Sequence, residues 1–457
     1  MTEGPPKRGL EPQSRPGRQP AVGPTPTPTP TLDPEVTEAY GTGGLRNLAG
    51  RVSWAVAGEA VNLVGTALLF LVLADQLGTV DYGSLQAVVS IALIAGPLAT
   101  FGANWQLIRR TVVTRDPAAE VGRAVSMASI GTGGVAFVLL LVALAVPALL
   151  PDISRTTMAL VLVAQMPAYW LVELAATSAV ARADLRLATI IRIVVVVVRL
   201  GSLALFLLLG SSGVDSWAWY FAAGNLAAAV AAHGLLARSL GRWPRLSAPS
   251  RREFSTGFPY GLGNTTEGML AASDKPLLKQ NGFADATGVY SAGYRIITLG
   301  FVPMMALLRA QDRRFFRQGA VGSAASHRAG LMMSRHALVA TVPVTVALWV
   351  LAPHIDLLLS EQWAEVTDVI RLLALLPVIK GFQFSYGNSL TAAGNQSARM
   401  WLTGAAAAGN FLGNLWLIPR WSWRAAAATT LAAELALTVG FIAASLVYAR
   451  TRADESR

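Results

Sequence analysis

The chain has 457 residues, of which 53% are hydrophobic and 14% charged, with a mean hydropathy of +0.48 and a net charge of +11. Soluble domains carry roughly a quarter charged residues, so most of this chain is matched to lipid rather than water. There is no cysteine, which excludes disulfides and thiol catalysis. Residues 1–45 come first and stand apart: Pro5, Pro6, Pro12, Pro16, Pro20 and the Thr25–Thr31 run of alternating Thr and Pro leave no apolar periodicity. Such a segment buries too little surface to offset chain entropy, so it is expected to be an extended, disordered tail. No apolar run follows its basic residues, so it does not read as a signal peptide. Its Thr-Pro pairs suit docking or phosphorylation.

From Leu48 onward, apolar segments of membrane-crossing length follow one another. Twelve spans are predicted, at 48–77, 82–107, 124–148, 156–180, 188–210, 215–237, 255–280, 286–308, 334–353, 368–391, 398–418 and 425–448. The prolines within them do not argue against helices, because neighbouring helices re-satisfy the freed backbone groups. Basic residues recur in alternate loops, from Arg109, Arg110, Arg115 and Arg123 through Arg182 and Arg186 to Arg238–Arg252, then Arg309–Arg335 and Arg399. The intervening loops carry Asp75, Asp81, Asp152, Asp215, Asp285, Asp356, Glu361 and Glu365 instead; Arg155, Lys279, Arg371, Arg420 and Arg424 break the pattern. The alternation predicts both termini and the basic loops on the cytoplasmic side of the cell membrane. It also accounts for the high pI without nucleic acid as a partner, since the charge marks topology and the inner leaflet.

A weak repeat divides the chain. Gly78-Thr-Val-Asp81-Tyr-Gly83 follows the first span, and Gly282-Phe-Ala-Asp285-Ala-Thr-Gly288 follows the seventh. Two parallel six-helix repeats around a central site are a common transporter plan. The predicted fold is therefore an all-α polytopic membrane protein with an N-lobe at 46–237, a basic linker at 238–253, a C-lobe at 254–449 and a short tail at 450–457.

Ionisable residues inside predicted spans are costly in lipid and normally face protein or a water-filled cavity. Glu59, Asn62 and Thr66 share one helical face, as do Arg192 and Arg199, and as do Asn264, Glu267 and Asp274 with Lys275 beside them. Glu173, Arg295, Lys380 and Glu434 are further members. One reading is a hydrated, partly cationic cavity, with Arg199, Lys380, Arg295 and Lys275 receiving phosphate or acidic groups. Glu59, Asp274 and Glu267 are then candidates for binding a coupling H+ or Na+. The other reading is interhelical pairing as structural glue. Trp217, Trp219, Tyr220, Trp416, Trp421 and Trp423 read as interfacial belt residues, and Asn410 and Asn414 as helix-to-helix hydrogen-bonding groups.

The Asp274-Lys-Pro-Leu-Leu-Lys-Gln-Asn-Gly282 run with Gly288-Val-Tyr290-Ser-Ala-Gly-Tyr294-Arg295, and Leu73-Ala-Asp-Gln-Leu-Gly78 with Asp81-Tyr-Gly83, resemble polysaccharide flippases. These belong to the multidrug/oligosaccharidyl-lipid/polysaccharide exporter superfamily. The resemblance implies a two-lobed helical bundle around a central cavity. It also implies movement of a lipid-linked glycan between leaflets, with membrane lipids and a glycan polymerase or glycosyltransferases as prospective partners. A drug or metabolite antiporter of the same superfamily is the nearest alternative. A membrane-embedded glycan-processing enzyme is more remote. His233, His327, His336 and His354 do not cluster, no ATP-binding Walker motif is present, and no metal or organic cofactor is expected.

Overall fold

The computed structural model describes residues 45–111, 116–146, 150–182, 184–305, 307–308, 318, 321–357 and 359–454, with the side chains of 45–60, 356 and 452–454 excepted. The chain divides into two compact units, Met1–Gly50 and Arg51–Arg457. The first contributes only the start of helix α1 to the described residues, so the expected Pro-rich tail lies outside them. Every regular element among the described residues is helical. In order these are α1 (Leu45–Ala99), α2 (Ala103–Thr111), α3 (Pro117–Ala145), α4 (Arg155–Val163), α5 (Tyr169–Ala181), α6 (Leu185–Leu208) and α7 (Gly213–Leu240) in the first half. The second half holds α8 (Arg251–Ala272), α9 (Asp274–Gln280), α10 (Ala284–Leu299), α11 (Ser323–Leu351), α12 (Val366–Leu373), α13 (Leu376–Ala392) and α14 (Gln396–Asp454). A π-turn at Ala164–Ala168, containing Pro167, joins α4 to α5 as one span.

The starts of these helices follow from side-chain caps. Asp116, Ser154 and Asp184 accept hydrogen bonds from the backbone N–H groups of Ala119, Thr157 and Leu187. Ser250 and Glu253 close a reciprocal capping box on α8. Gly241, with φ 71°, ends α7 in the left-handed conformation, and residues 241–250 cross to α8 without helix.

By length and composition, seven described helices can cross a membrane, or eight if the bent pair Glu361–Leu373 and Leu376–Ala392 is one span. That is fewer than the twelve predicted spans, for two physical reasons. Helices α1 and α14 each contain one residue with positive φ, Gly78 (φ 72°) and Ser422 (φ 51°), so each is two helices across a sharp break counted as one. Helices α8 to α10 are short or too polar to qualify, because Asn264, Glu267, Asp274, Lys275 and Arg295 lie in them.

The repeat turns meet at one end of the bundle. A Cβ on Gly83 would collide with the carbonyl oxygen of Ala284, and one on Gly288 with the carbonyl oxygen of Thr79. Only glycine lets these backbones touch. The acidic turns collect at this same end: Ser360 Oγ donates to Asp75 at 2.8 Å, Val214 N–H to Asp81 at 2.9 Å, and Trp423 Nε1–H to Glu365 at 2.7 Å. At the opposite, basic end, Arg110 pairs with Glu253 and reaches Glu120 at 3.5 Å, while Arg123 reaches Glu120 at 3.3 Å and Glu253 at 3.7 Å. This cluster ties α2 and α3 of the first half to the start of α8 in the second. Gln106 adds a donor to the Glu253 carbonyl at 2.9 Å. The largest apolar core, with Leu73, Tyr82, Trp217, Tyr290, Trp363 and Trp423, draws on both halves, and a second, around Leu107, Ile191 and Leu236, belongs to the first.

Candidate functional site

Arg199 lies on α6, whose start is set by the Asp184 cap. Its Nη2 donates to Asn225 Oδ1 of α7 at 2.9 Å, and its guanidinium lies 5.9 Å from the Tyr169 ring centroid on α5. Asn225 is 1% exposed and held in place by donating to the Phe221 carbonyl at 2.8 Å. The Nε–H of Arg199 is buried and has no partner among the described residues. Glu173 follows Tyr169 by one helical turn, and Arg192 precedes Arg199 by two turns of α6. The charges of Arg192, Arg199 and Glu173 all bear on Tyr169. So does the charge of Arg295, which comes from α10 in the other half and also acts on Arg199 and Tyr82. Arg295 is exposed although the turn before it, Val289–Gly293, is buried. Arg199, Tyr169 and Asn225 thus form one contact group across α5, α6 and α7, on which the charge of Arg295 also bears.

The other predicted cations sit elsewhere. Lys275 is 7% exposed and contacts Asp274 Oδ1 at 3.4 Å and the Ala271 carbonyl at 3.1 Å. Its ammonium lies 4.5 Å from the Tyr294 ring centroid. Asp274 is fully buried; its second oxygen accepts from Tyr290 Oη at 2.6 Å and lies 3.5 Å from Thr430 Oγ1. Lys380 on α13 pairs with the fully buried Glu434 of α14 at 2.6 Å and donates to Gln383 Oε1 at 2.9 Å. The amide of Gln383 in turn donates to the other Glu434 oxygen. Thr430 and Glu434 are one turn apart on α14, so the two lysine–carboxylate pairs border one polar core inside the second half. Glu267 is exposed and meets Arg399 at 3.2 Å. The side chain of Glu59 lies outside the described residues. Asn410 donates to the Leu270 carbonyl at 3.2 Å, the helix-to-helix contact expected of it.

Thr430, Gln383, Asn225 and Tyr169 join these groups although the sequence alone did not single them out. The spacing of Thr430, Glu434 and Thr438, four apart each time, was the available signal. Among the described residues no group of three or more His, Cys, Asp or Glu side chains is disposed to hold a metal ion.

An all-α bundle with seven or eight helices able to cross a membrane, and with charged side chains buried between its helices, is a multi-pass membrane protein of the transporter type. Residues 51–307 match the family model described as polysaccharide biosynthesis protein, more than half of the chain. The chain belongs to that family. Comparison with curated proteins gives no match. Solved structures share the fold. An inward-facing multidrug resistance MATE family transporter of the MOP superfamily aligns with a TM-score of 0.61 at 14% identity, covering 87% of this chain and 98% of the other. The lipid II flippase MurJ in an inward closed conformation gives 0.61 at 11%, covering 86% and 87%. A MOP superfamily transporter from Pyrococcus furiosus, whose binding pocket is described as of reverse polarity, gives 0.59 at 14%, covering 88% and 92%. These neighbours are transporters and a flippase rather than enzymes.

Proposed function

We propose that the protein flips a lipid-linked oligosaccharide or polysaccharide precursor from the cytoplasmic to the outer leaflet of the cell membrane by alternating access between its halves. The observation that carries this reading is the buried Arg199 Nε–H, which has no partner among the described residues, together with the charge of Arg295 from α10 acting on the same guanidinium. Like charges brought together repel unless an anion joins them. A guanidinium with a buried, idle N–H is a donor that a phosphate oxygen completes. Lipid-linked sugars present phosphate or diphosphate, and often acidic sugars. Arg199 and Arg295, whose charges act on each other, favour such cargo over a cationic drug.

In this reading the basic end and both termini face the cytoplasm. Lys275 and Lys380 are neutralised by Asp274 and Glu434, so they serve the coupling core rather than the cargo. Each carboxylate already holds a lysine ammonium where a metal cation would sit, which favours H+ over Na+ as the coupling ion. Glycan polymerase or glycosyltransferases are the natural partners for supply and use of the cargo.

The test is reconstitution in liposomes with a lipid-linked glycan whose appearance in the far leaflet is read by lectin. Arg199→Ala and Arg295→Ala should insert normally and slow flipping about ten-fold or more each, the loss of a charge-assisted contact. Arg199→Lys should fall between, because an ammonium keeps the charge but loses the bidentate fork. Flipping at the native rate in both alanine variants would overturn the assignment; export of an organic cation, with no glycan movement, would favour the antiporter.

A further inference from the structure

On the flank of the first half, at its basic end, lies a cavity of about 750 Å3 between α6 and α7. Its walls are apolar, from Val194, Ala231, Gly234 and Leu235, and its mouth is formed by Arg238, Arg242 and Trp243. We propose that this cavity binds an anionic phospholipid of the leaflet at the basic end, with an acyl chain between α6 and α7 and the phosphate at Arg238 and Arg242. The proposal is independent of the cargo.

Dimensions support it. From Gly241 to Ala231, α7 rises about 15 Å, half of the roughly 30 Å hydrocarbon core and so one leaflet deep. Charge supports it as well. Arg238 is exposed and, among the described residues, its side chain makes no hydrogen bond or ion pair. Arg242 is paired with Asp116 through one nitrogen, which leaves further N–H donors for a phosphate. Arg182, at the end of α5, donates to Ser239 at 3.1 Å and so fixes the basic end of α7. Trp243 is 63% exposed at the level where indole rings favour the membrane interface. Basic pockets between helices at a membrane surface recognise acidic headgroups.

The site is separate from the cleft. Val194 stands two residues from Arg192, roughly 200° round α6 from the face that carries Arg192 and Arg199. Cargo held at Arg199 therefore faces away from this cavity, and a pocket one leaflet deep matches an acyl chain better than a long polyprenyl chain.

The purified full chain in detergent, titrated with phosphatidylglycerol or phosphatidylcholine and followed by native mass spectrometry and melting temperature, tests this. Phosphatidylglycerol should bind in discrete stoichiometry and raise the melting temperature, and phosphatidylcholine should not. Arg238→Gln should weaken phosphatidylglycerol binding about ten-fold. No atom lies within 4 Å of a Cβ placed on Gly234, so Gly234→Leu fits the empty space. It should keep or raise the melting temperature without lipid, because leucine is the better helix former, and should exclude the bound lipid. Arg335→Gln, an exposed basic residue of the second half, should change neither. Equal binding of the two lipids would overturn the proposal, as would an Arg335→Gln effect equal to that of Arg238→Gln, or bound lipid retained in Gly234→Leu. Displacement of phosphatidylglycerol by a polyprenyl phosphate at lower concentration would assign the cavity to the cargo lipid instead.

Discussion

Lys380 and Glu434 show how a charged residue is tolerated at depth. Glu434 is fully buried, and its two oxygens are taken by an ammonium and an amide. Removing one member of such a pair strands the other, at a cost of about 3–5 kcal/mol, whereas replacing both with apolar groups of similar size is often close to neutral. Lys380→Met and Glu434→Leu should each lower the melting temperature sharply, and the double variant Lys380→Met/Glu434→Leu should recover most of the loss. Additive losses would show that the two side chains do not act as a pair. That each residue is ionisable and inside a span was legible in the sequence. That they meet was not, because Lys380 and Glu434 are on different helices and nothing in a single sequence says which helices are neighbours. The same gap is why Arg199, Lys380 and Arg295 could be named together as cavity cations while the Glu434 that Lys380 meets could not be named as its partner.

The element most exposed to solution chemistry is the start of α8. Burial pushes the Glu253 carboxyl up, but the Ser250 backbone N–H and the Arg110 guanidinium outweigh it and hold the group below its ordinary value of 4.5. A carboxyl depressed on folding contributes stability that is complete above its unfolded value and is lost as pH falls through the folded one. The tie between α2, α3 and α8 should therefore hold at neutral pH and loosen below about pH 4.5. Thermal unfolding of the wild type between pH 7 and pH 4 should show a decline that Glu253→Gln largely lacks; parallel curves would remove Glu253 from this role. At the scale of elements the sequence was readable where one residue sets the geometry. The Gly78 turn was expected, since a glycine followed by Asp81 and Gly83 interrupts an apolar run. The break at Ser422 falls in the gap expected between the spans 398–418 and 425–448, but its positive φ was not legible, because such a φ at a serine is imposed by surroundings rather than by preference.

The whole molecule is polarised, with the Arg110–Glu253 cluster at one end and the Asp75–Ser360 contact at the other. Because the chain contains no cysteine, single-cysteine labelling reads this polarity directly. Ser247→Cys, exposed between α7 and α8, should react only with a membrane-permeant reagent in intact cells, and Glu361→Cys, exposed at the acidic end, with an impermeant one. The reverse pattern would invert the proposed direction of transport.

The meeting of the two glycine turns has an implication for symmetry. Gly83 rests on the backbone that leads to Gly288, and Gly288 rests on the backbone that leads to Gly83. A contact in which each partner offers the other the same patch is isologous, the kind that joins two identical subunits about a two-fold axis. The connection between the two sides of this contact, residues 241–250, contains no helix. Severing it should not sever the molecule. Two fragments divided within 244–249 and produced together should assemble into one particle and migrate as such in detergent. Gly288→Leu in the second fragment should prevent that assembly while leaving each fragment inserted, because the two-fold patch can no longer close on itself.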